Sequence, residues 1–227
     1  MASITEKMPF GIVTVMDVKV FGMDQPLTVG GTASTIENLY KADVDRAAFN
    51  AALIDMAKAA PATGDKLLCT LDHLQVATLS TEGPSIEIQG GKYNNKLIKY
   101  GKTARCEMTD VLGQMDALVA LGGAEYSKSN GAITGIVVTD KFGGPVCIVG
   151  DSFVVDKKTG KHVPVKVILY EFLPDSTPSF AFDSGNAATF DLNGDLLAVE
   201  FADDNSANAC GDGSGAFFAI EFDSCEL

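Results

Sequence analysis

The stretch AITGIVVTDKFGGPVCIVGDSFVVDKKTGKHVPVKVILYEFL, residues 132–173, decides the fold class. Its three runs, AITGIVV, PVCIVGDSFVV and HVPVKVILYEFL, are rich in β-branched residues, which suit the pleated, half-buried surface of a sheet. KFGG and DKKTGK between them are turn sequences. The stretch is therefore expected to form a three-stranded antiparallel meander.

Working outward, the period-2 pattern recurs. Between Lys66 and Ser80, Leu74, Val76 and Thr78 alternate with Gln75 and Ala77. In SIEIQ, Ile86 and Ile88 oppose Glu87 and Gln89, and in ARCEM, Ala104, Cys106 and Met108 oppose Arg105 and Glu107. Residues 10–31 read as two strands or an extended arm. Past the meander, LPDSTPSF interrupts the pattern with two prolines. ATFDLNGDLLAVEF then sets Asn193-Gly194 between apolar alternations, the signal for a type I′ hairpin, and GAFFAIEF supplies one more strand.

Two helices interrupt the strands. ADVDRAAFNAALIDMAKAAP, from Ala42 to Pro61, has Asp43 as candidate N-cap and Pro61 as stop, with Val44, Ala47, Ala48, Ala51 and Ile54 on one face. The second is expected to start at Thr109, with Asp110 at the positive end of the dipole and Gly122 as the C′ stop. Leu112, Met115, Leu118 and Val119 would form its buried stripe. The expected fold is mainly β (α+β): an antiparallel sandwich-like or barrel-like core with one flanking helix, an additional Ala-rich helix and a β-rich C-terminal segment. Residues 1–173 would make the core with its N-terminal arm, and 174–227 a C-terminal β-hairpin segment that either packs on it or stands apart.

A chain of 227 residues is long enough to bury a sizeable core. Its 46% apolar and 21% charged content is that of a globular protein rather than a disordered one. MASITEKMPFGIVTV lacks a charged segment leading into an apolar one, and no apolar run approaches the ~20 residues that span a bilayer. A cytoplasmic product with no membrane partner is expected. Cys69, Cys106, Cys147, Cys210 and Cys225 never fall in CxxC spacing, so structural thiols are expected rather than disulfides or metal ligands.

Catalytic patterns are missing. HExxH, GxSxG and GxxxxGK[ST] do not occur, and Gly90-Gly91-Lys92 lacks the spacing of a phosphate loop. His73 and His162 are the only histidines, and both read as local hydrogen-bonding residues. DLNGD places Asp191, Asn193 and Asp195 like the start of a calcium loop, but Leu196 and Ala202 stand where that loop needs Gly and Glu. No catalytic residue, metal or cofactor is expected.

One feature is left over. Lys92, Lys96, Lys99, Lys102 and Arg105 place five of the chain's 17 cations in 14 residues without an acid, on a protein of net charge −13. That total opposes ordinary nucleic-acid binding, which needs a basic surface to release phosphate counterions. Without those five charges the remainder carries −13 − 5 = −18. Complementary patches on one molecule make head-to-tail contacts, which close into rings or grow into filaments. The strip, with Tyr93 inside it, is thus a candidate subunit interface on an extended loop. The alternative is a solvated lysine-rich connection.

The succession GPSIEIQGGKYNNKLIKYGKTARCEM, TDVLGQMDALVAL and then a strand meander resembles the major tail tube proteins of long-tailed bacteriophages, over residues 66–173. The resemblance implies a structural, non-enzymatic virion protein, made in the bacterial cytoplasm. It would self-assemble into stacked, hexameric rings around a channel through which viral DNA is ejected without specific binding. It also implies other tail proteins, such as the tape measure and tail terminator, as partners. An electronegative lumen would repel DNA phosphates. A different reading is a β-rich binding module for a cell-surface glycan or a calcium-dependent ligand, using the loop with Asp203, Asp204, Asn205 and Asp212.

Overall fold

The computed structural model describes residues 10–41, 44–59, 67–71, 76–83, 85–90, 94–99, 102–112, 115–156, 160–175, 179–181, 189–201 and 215–222. The chain begins with β1 (Phe10–Gly22), a small hairpin of β2 (Pro26–Val29) and β3 (Thr32–Thr35), and two helices, α1 (Ile36–Lys41) and α2 (Arg46–Lys58). Strands β4 (Leu67–Leu71), β5 (Val76–Glu82), β6 (Ser85–Gly90), β7 (Asn94–Lys99) and β8 (Thr103–Leu112) follow, then α3 (Met115–Leu121). The rest is strand: β9 (Ala124–Ser129), β10 (Ala132–Val138), β11 (Val146–Asp156), β12 (His162–Pro174), β13 (Ser179–Ala181), β14 (Thr189–Leu196) and β15 (Phe218–Phe222). The protein is mainly β, as its β-branched runs require.

Nine strands share one sheet, ordered β4-β1-β11-β12-β14-β8-β5, with β13 on β14 and β15 on β12. The long strands β11 and β12 form the expected antiparallel hairpin, with Val155 opposite His162 and Val149 opposite Ile168. The third strand of the expected meander does not join them. β10 turns back on β9 instead, in a two-stranded sheet of its own. Its turn is Asn130-Gly131, where both residues have positive φ (51° and 82°), the geometry of a type I′ hairpin. The place beside β11 goes to β1, which pairs Val20 with Ile148. The N-terminal segment is thus an interior strand rather than an arm from Phe10 onward.

The hairpin expected at Asn193-Gly194 is also overturned. β14 runs straight through these residues, with Asn193 opposite Glu107 and Gly194 opposite both Cys106 and Pro174. Gly194 is needed for closeness rather than for a turn. A Cβ there would lie 2.6 Å from the Phe172 ring and press against the Leu173 carbonyl. Residues beyond Pro174 therefore contribute β14 between β12 and β8, and β15 against β12, so the sheet continues across the proline-marked boundary.

Successive residues of a strand point to opposite faces, and β11 and β12 are buried on both. Val146, Ile148, Val167 and Leu169 join one core with Val18, Val20, Cys69, Leu71, Ala104, Cys106, Met108, Leu192 and Leu196. These come from strands along the whole sheet, which curls so that β5 approaches β1. Ala117 and Leu121 of α3 pack into the same core. Cys147, Val149, Ile168 and Tyr170 face a second core built with α1, α2 and the β2–β3 hairpin. Burial on both faces explains why the β11 and β12 sequences are near-continuous apolar runs rather than alternating ones.

The helices differ from expectation in detail. Asp43 lies outside the described residues. The N-cap of α2 is Asp45, whose carboxylate accepts the Ala48 N–H at 2.9 Å. The buried stripe is Phe49, Leu53 and Ala57 with Asn50, whereas Ala47 and Ala51 are exposed. The larger apolar groups decide which face docks. Thr109 starts no helix, because Val111 and Leu112 still pair with Phe190 and Thr189 of β14. α3 begins three residues after β8 ends and stops where the Gly122 N–H bonds to Leu118 O and Gly123 turns left-handed, φ 65°.

Candidate functional site

The basic strip is described only in part. Lys92 and Tyr93 lie outside the described residues. Lys96 and Lys99 belong to β7, opposite Ile88 and Ser85 of β6. Lys102 is exposed in the connection to β8. What the sequence suggests is an extended loop is largely an antiparallel hairpin, 85–90 against 94–99, that forms a two-stranded sheet separate from the main one. Regular alternation in SIEIQ favours that pairing.

Arg105 makes ion pairs within its own chain. The register of β8 on β14 sets it opposite Asp195, and its guanidinium donates to Asp195 at 3.0 Å and to Asp175 just past β12. Glu107, two residues along the same strand, is 3.6 Å away. The hydrogen bond to Asp175, with that to Asp195 behind it, raises the guanidinium's pKa. The cluster ties β8, β12 and β14 together at the surface. Both acids are distant in sequence, and no local pattern in ARCEM points to them.

The sequence reading also missed a polar network between the helices and the sheet. The Tyr170 hydroxyl donates to Asn50 Oδ1 at 3.0 Å, and Asn50 Nδ2 donates to Glu221 at 2.6 Å. The Tyr40 hydroxyl donates to the Tyr170 carbonyl at 2.6 Å. Around these bonds Tyr40, Phe49, Tyr170 and Phe201 stack at centroid separations of 4.9–6.5 Å. Burial pushes the Tyr170 phenol up to about 12, and that of Tyr40 well above its ordinary value. Both therefore stay protonated donors. The network fixes α1 and α2 on the outer face of β12, a structural task.

A cavity of about 310 Å³ opens between β1, the end of α2 and the β11–β12 pair, lined by Asp17, Lys19, Lys58, Thr70, Asp151 and Lys166 among others. Asp17 sits in a bulge of β1 with φ 47°. Three of these charges are engaged: Lys166 pairs with Asp151, and Lys19 donates to the Ala57 carbonyl at the end of α2. Cys69, Cys106 and Cys147 are buried free thiols, as expected for structural cysteines, and burial pushes each up to about 12. They remain unreactive thiols at neutral pH. His162 is exposed on β12, its ring 6.1 Å from that of Phe153. Among the described residues, no group of His, Cys, Asp or Glu is arranged to hold a metal ion. His73 and the Asp203–Asp212 loop fall outside them.

These features define a curled antiparallel sheet with helices packed into the cores on both of its faces and three separate two-stranded hairpins, β2–β3, β6–β7 and β9–β10. No protein-family model matches the chain, and no curated protein matches it. Among the described residues, no helix is long and apolar enough to cross a membrane.

Proposed function

We propose that the protein is a structural virion subunit. It self-assembles into stacked, hexameric rings that form the tail tube of a long-tailed bacteriophage. The observation that carries this reading is the β6–β7 hairpin. It stands as its own two-stranded sheet beside the nine-stranded body and lies inside the stretch that resembles tail tube proteins. It also carries Lys96 and Lys99 on a chain of net charge −13. Such a hairpin can reach a neighbouring copy while the body stays intact. The channel would pass DNA without binding it, since like charge keeps phosphates from adhering. Partners would be further copies of the chain and the other tail proteins that start and end the tube.

The test is assembly itself. Purified protein is concentrated over a range of salt and followed by light scattering and negative-stain microscopy, and rings or hollow tubes are expected. Replacing Lys92, Lys96, Lys99 and Lys102 by Glu should abolish them while circular dichroism stays unchanged. Tubes formed by the four-lysine variant would remove the strip from the interface. A wild-type chain that stays monomeric throughout but changes its melting temperature with calcium would favour the binding-module reading.

A further inference from the structure

The β9–β10 hairpin exposes an apolar strand that nothing in the described chain covers. Ile133, Val137, Val138 and Phe142 are 55%, 54%, 56% and 74% exposed. Val137 and Val138 are consecutive, so they present opposite faces, and both faces of β10 are open. Among the described residues, no strand pairs with the edge of β10 away from β9, because the hairpin is a two-stranded sheet. Strands that remain at a free edge are normally guarded by charge or proline. AITGIVV contains neither. Its only guard is a register shift between Ile133 and Gly135, which leaves Gly135–Val138 regular. An uncharged, branched run of this kind belongs to strands covered on both faces, like β11 and β12.

The hairpin's base is well held. The Thr139 hydroxyl donates to the Gly123 carbonyl at 2.8 Å, Tyr126 bonds to Asp116 of α3, and Lys141 pairs with Glu125. Gly123 has no room for a Cβ against the Lys141 backbone. The exposed strand is thus a projection from a fixed base.

We infer that β10 is a docking strand for a second copy of this chain, its open edge and both apolar faces being buried by a neighbouring subunit. Charge is compatible with that occupant. Copies of a −13 protein repel over most of their surface. Residues 124–142 carry two acids, Glu125 and Asp140, and two lysines, Lys128 and Lys141, for a net charge of zero. A neutral segment adds no local repulsion between like molecules. This inference rests on the self-assembly reading and assigns it a specific surface.

The test compares wild type with a Val137→Glu, Val138→Lys variant in sedimentation velocity and negative-stain microscopy. Both side chains are exposed, so the monomer's melting temperature should be unchanged. Burying a charge at each position should raise the concentration needed for assembly roughly tenfold or more. A variant that assembles like wild type into rings or tubes overturns the docking strand and leaves the tube reading standing. A wild type that forms only dimers, lost in the variant, supports the docking strand and removes the tube. A wild type that stays monomeric at every concentration overturns both.

Discussion

Replacing Gly194 by alanine tests the placement of β14 directly. The residue is buried in the sheet between β8 and β12. Its new methyl group would lie 2.6 Å from Cε2 and Cζ of Phe172 and closer still to the Leu173 carbonyl. The phenyl ring belongs to a fully buried residue of the main core, and the carbonyl is backbone in the neighbouring strand, so neither yields cheaply. Overpacking of this kind costs about 1–3 kcal/mol. For a chain of this size each kcal/mol lowers the melting temperature by roughly 2–4 °C, which gives an expected loss of roughly 2–12 °C. Gly144→Ala is the control. No heavy atom lies within 4 Å of its Cβ position, and alanine restricts the unfolded chain, so its effect should be zero to slightly stabilising. Both variants are melted by differential scanning calorimetry under conditions that keep the protein monomeric. Equal melting temperatures for the two would refute the strand placement of Asn193-Gly194.

Other consequences are open to similar measurement. Leu53→Ala should cost about 2–5 kcal/mol in urea unfolding, while Ala51→Ser, on the exposed face of α2, should stay within about 0.5 kcal/mol. A reversed order would mean that the helix docks by the other face. Tyr170→Phe leaves the buried Asn50 Oδ1 without its donor and should cost about 1–3 kcal/mol, and an unchanged midpoint would show that the hydrogen bond carries no weight. Alkaline pH should destabilise the fold. Thiols with an ordinary pKa of 9.0 and a phenol at 10.0 are pushed up to about 12 when folded, so between those values the unfolded chain has lost protons that the folded chain keeps. The unfolded state binds fewer protons there, and stability falls as pH rises from about 9 toward 12. Urea midpoints that stay level from pH 8 to pH 11 would contradict that linkage. In a Cys210→Ser, Cys225→Ser variant at pH 8, the remaining thiols should resist a thiol reagent until urea unfolds the chain, and prompt labelling would place at least one of them at the surface.

The mainly β class was legible because β-branched content and period-2 alternation are local properties. ARCEM reads correctly for the same reason: Ala104, Cys106 and Met108 are buried and Glu107 is exposed. The candidate site was less legible. The Lys and Arg cluster is plain in composition, yet nothing in it shows that Arg105 pairs with Asp175 and Asp195, which are distant in the chain. Side-chain charge states what a residue can pair with, and the register of distant strands decides what it meets.

The two Asn-Gly pairs show where that line falls. At 130–131 the dipeptide makes the turn its left-handed preference favours, and β9 and β10 close on each other. At 193–194 the same dipeptide lies inside a strand, because β8 and β12 offer ladder partners on both sides and only glycine fits against Phe172. Alternation, helix-forming runs and buried thiols belong to the sequence alone. Which strands become neighbours, which helix face is covered and which charges are consumed depend on hydrogen bonds and packing between residues far apart in the chain. Only the folded structure decides those.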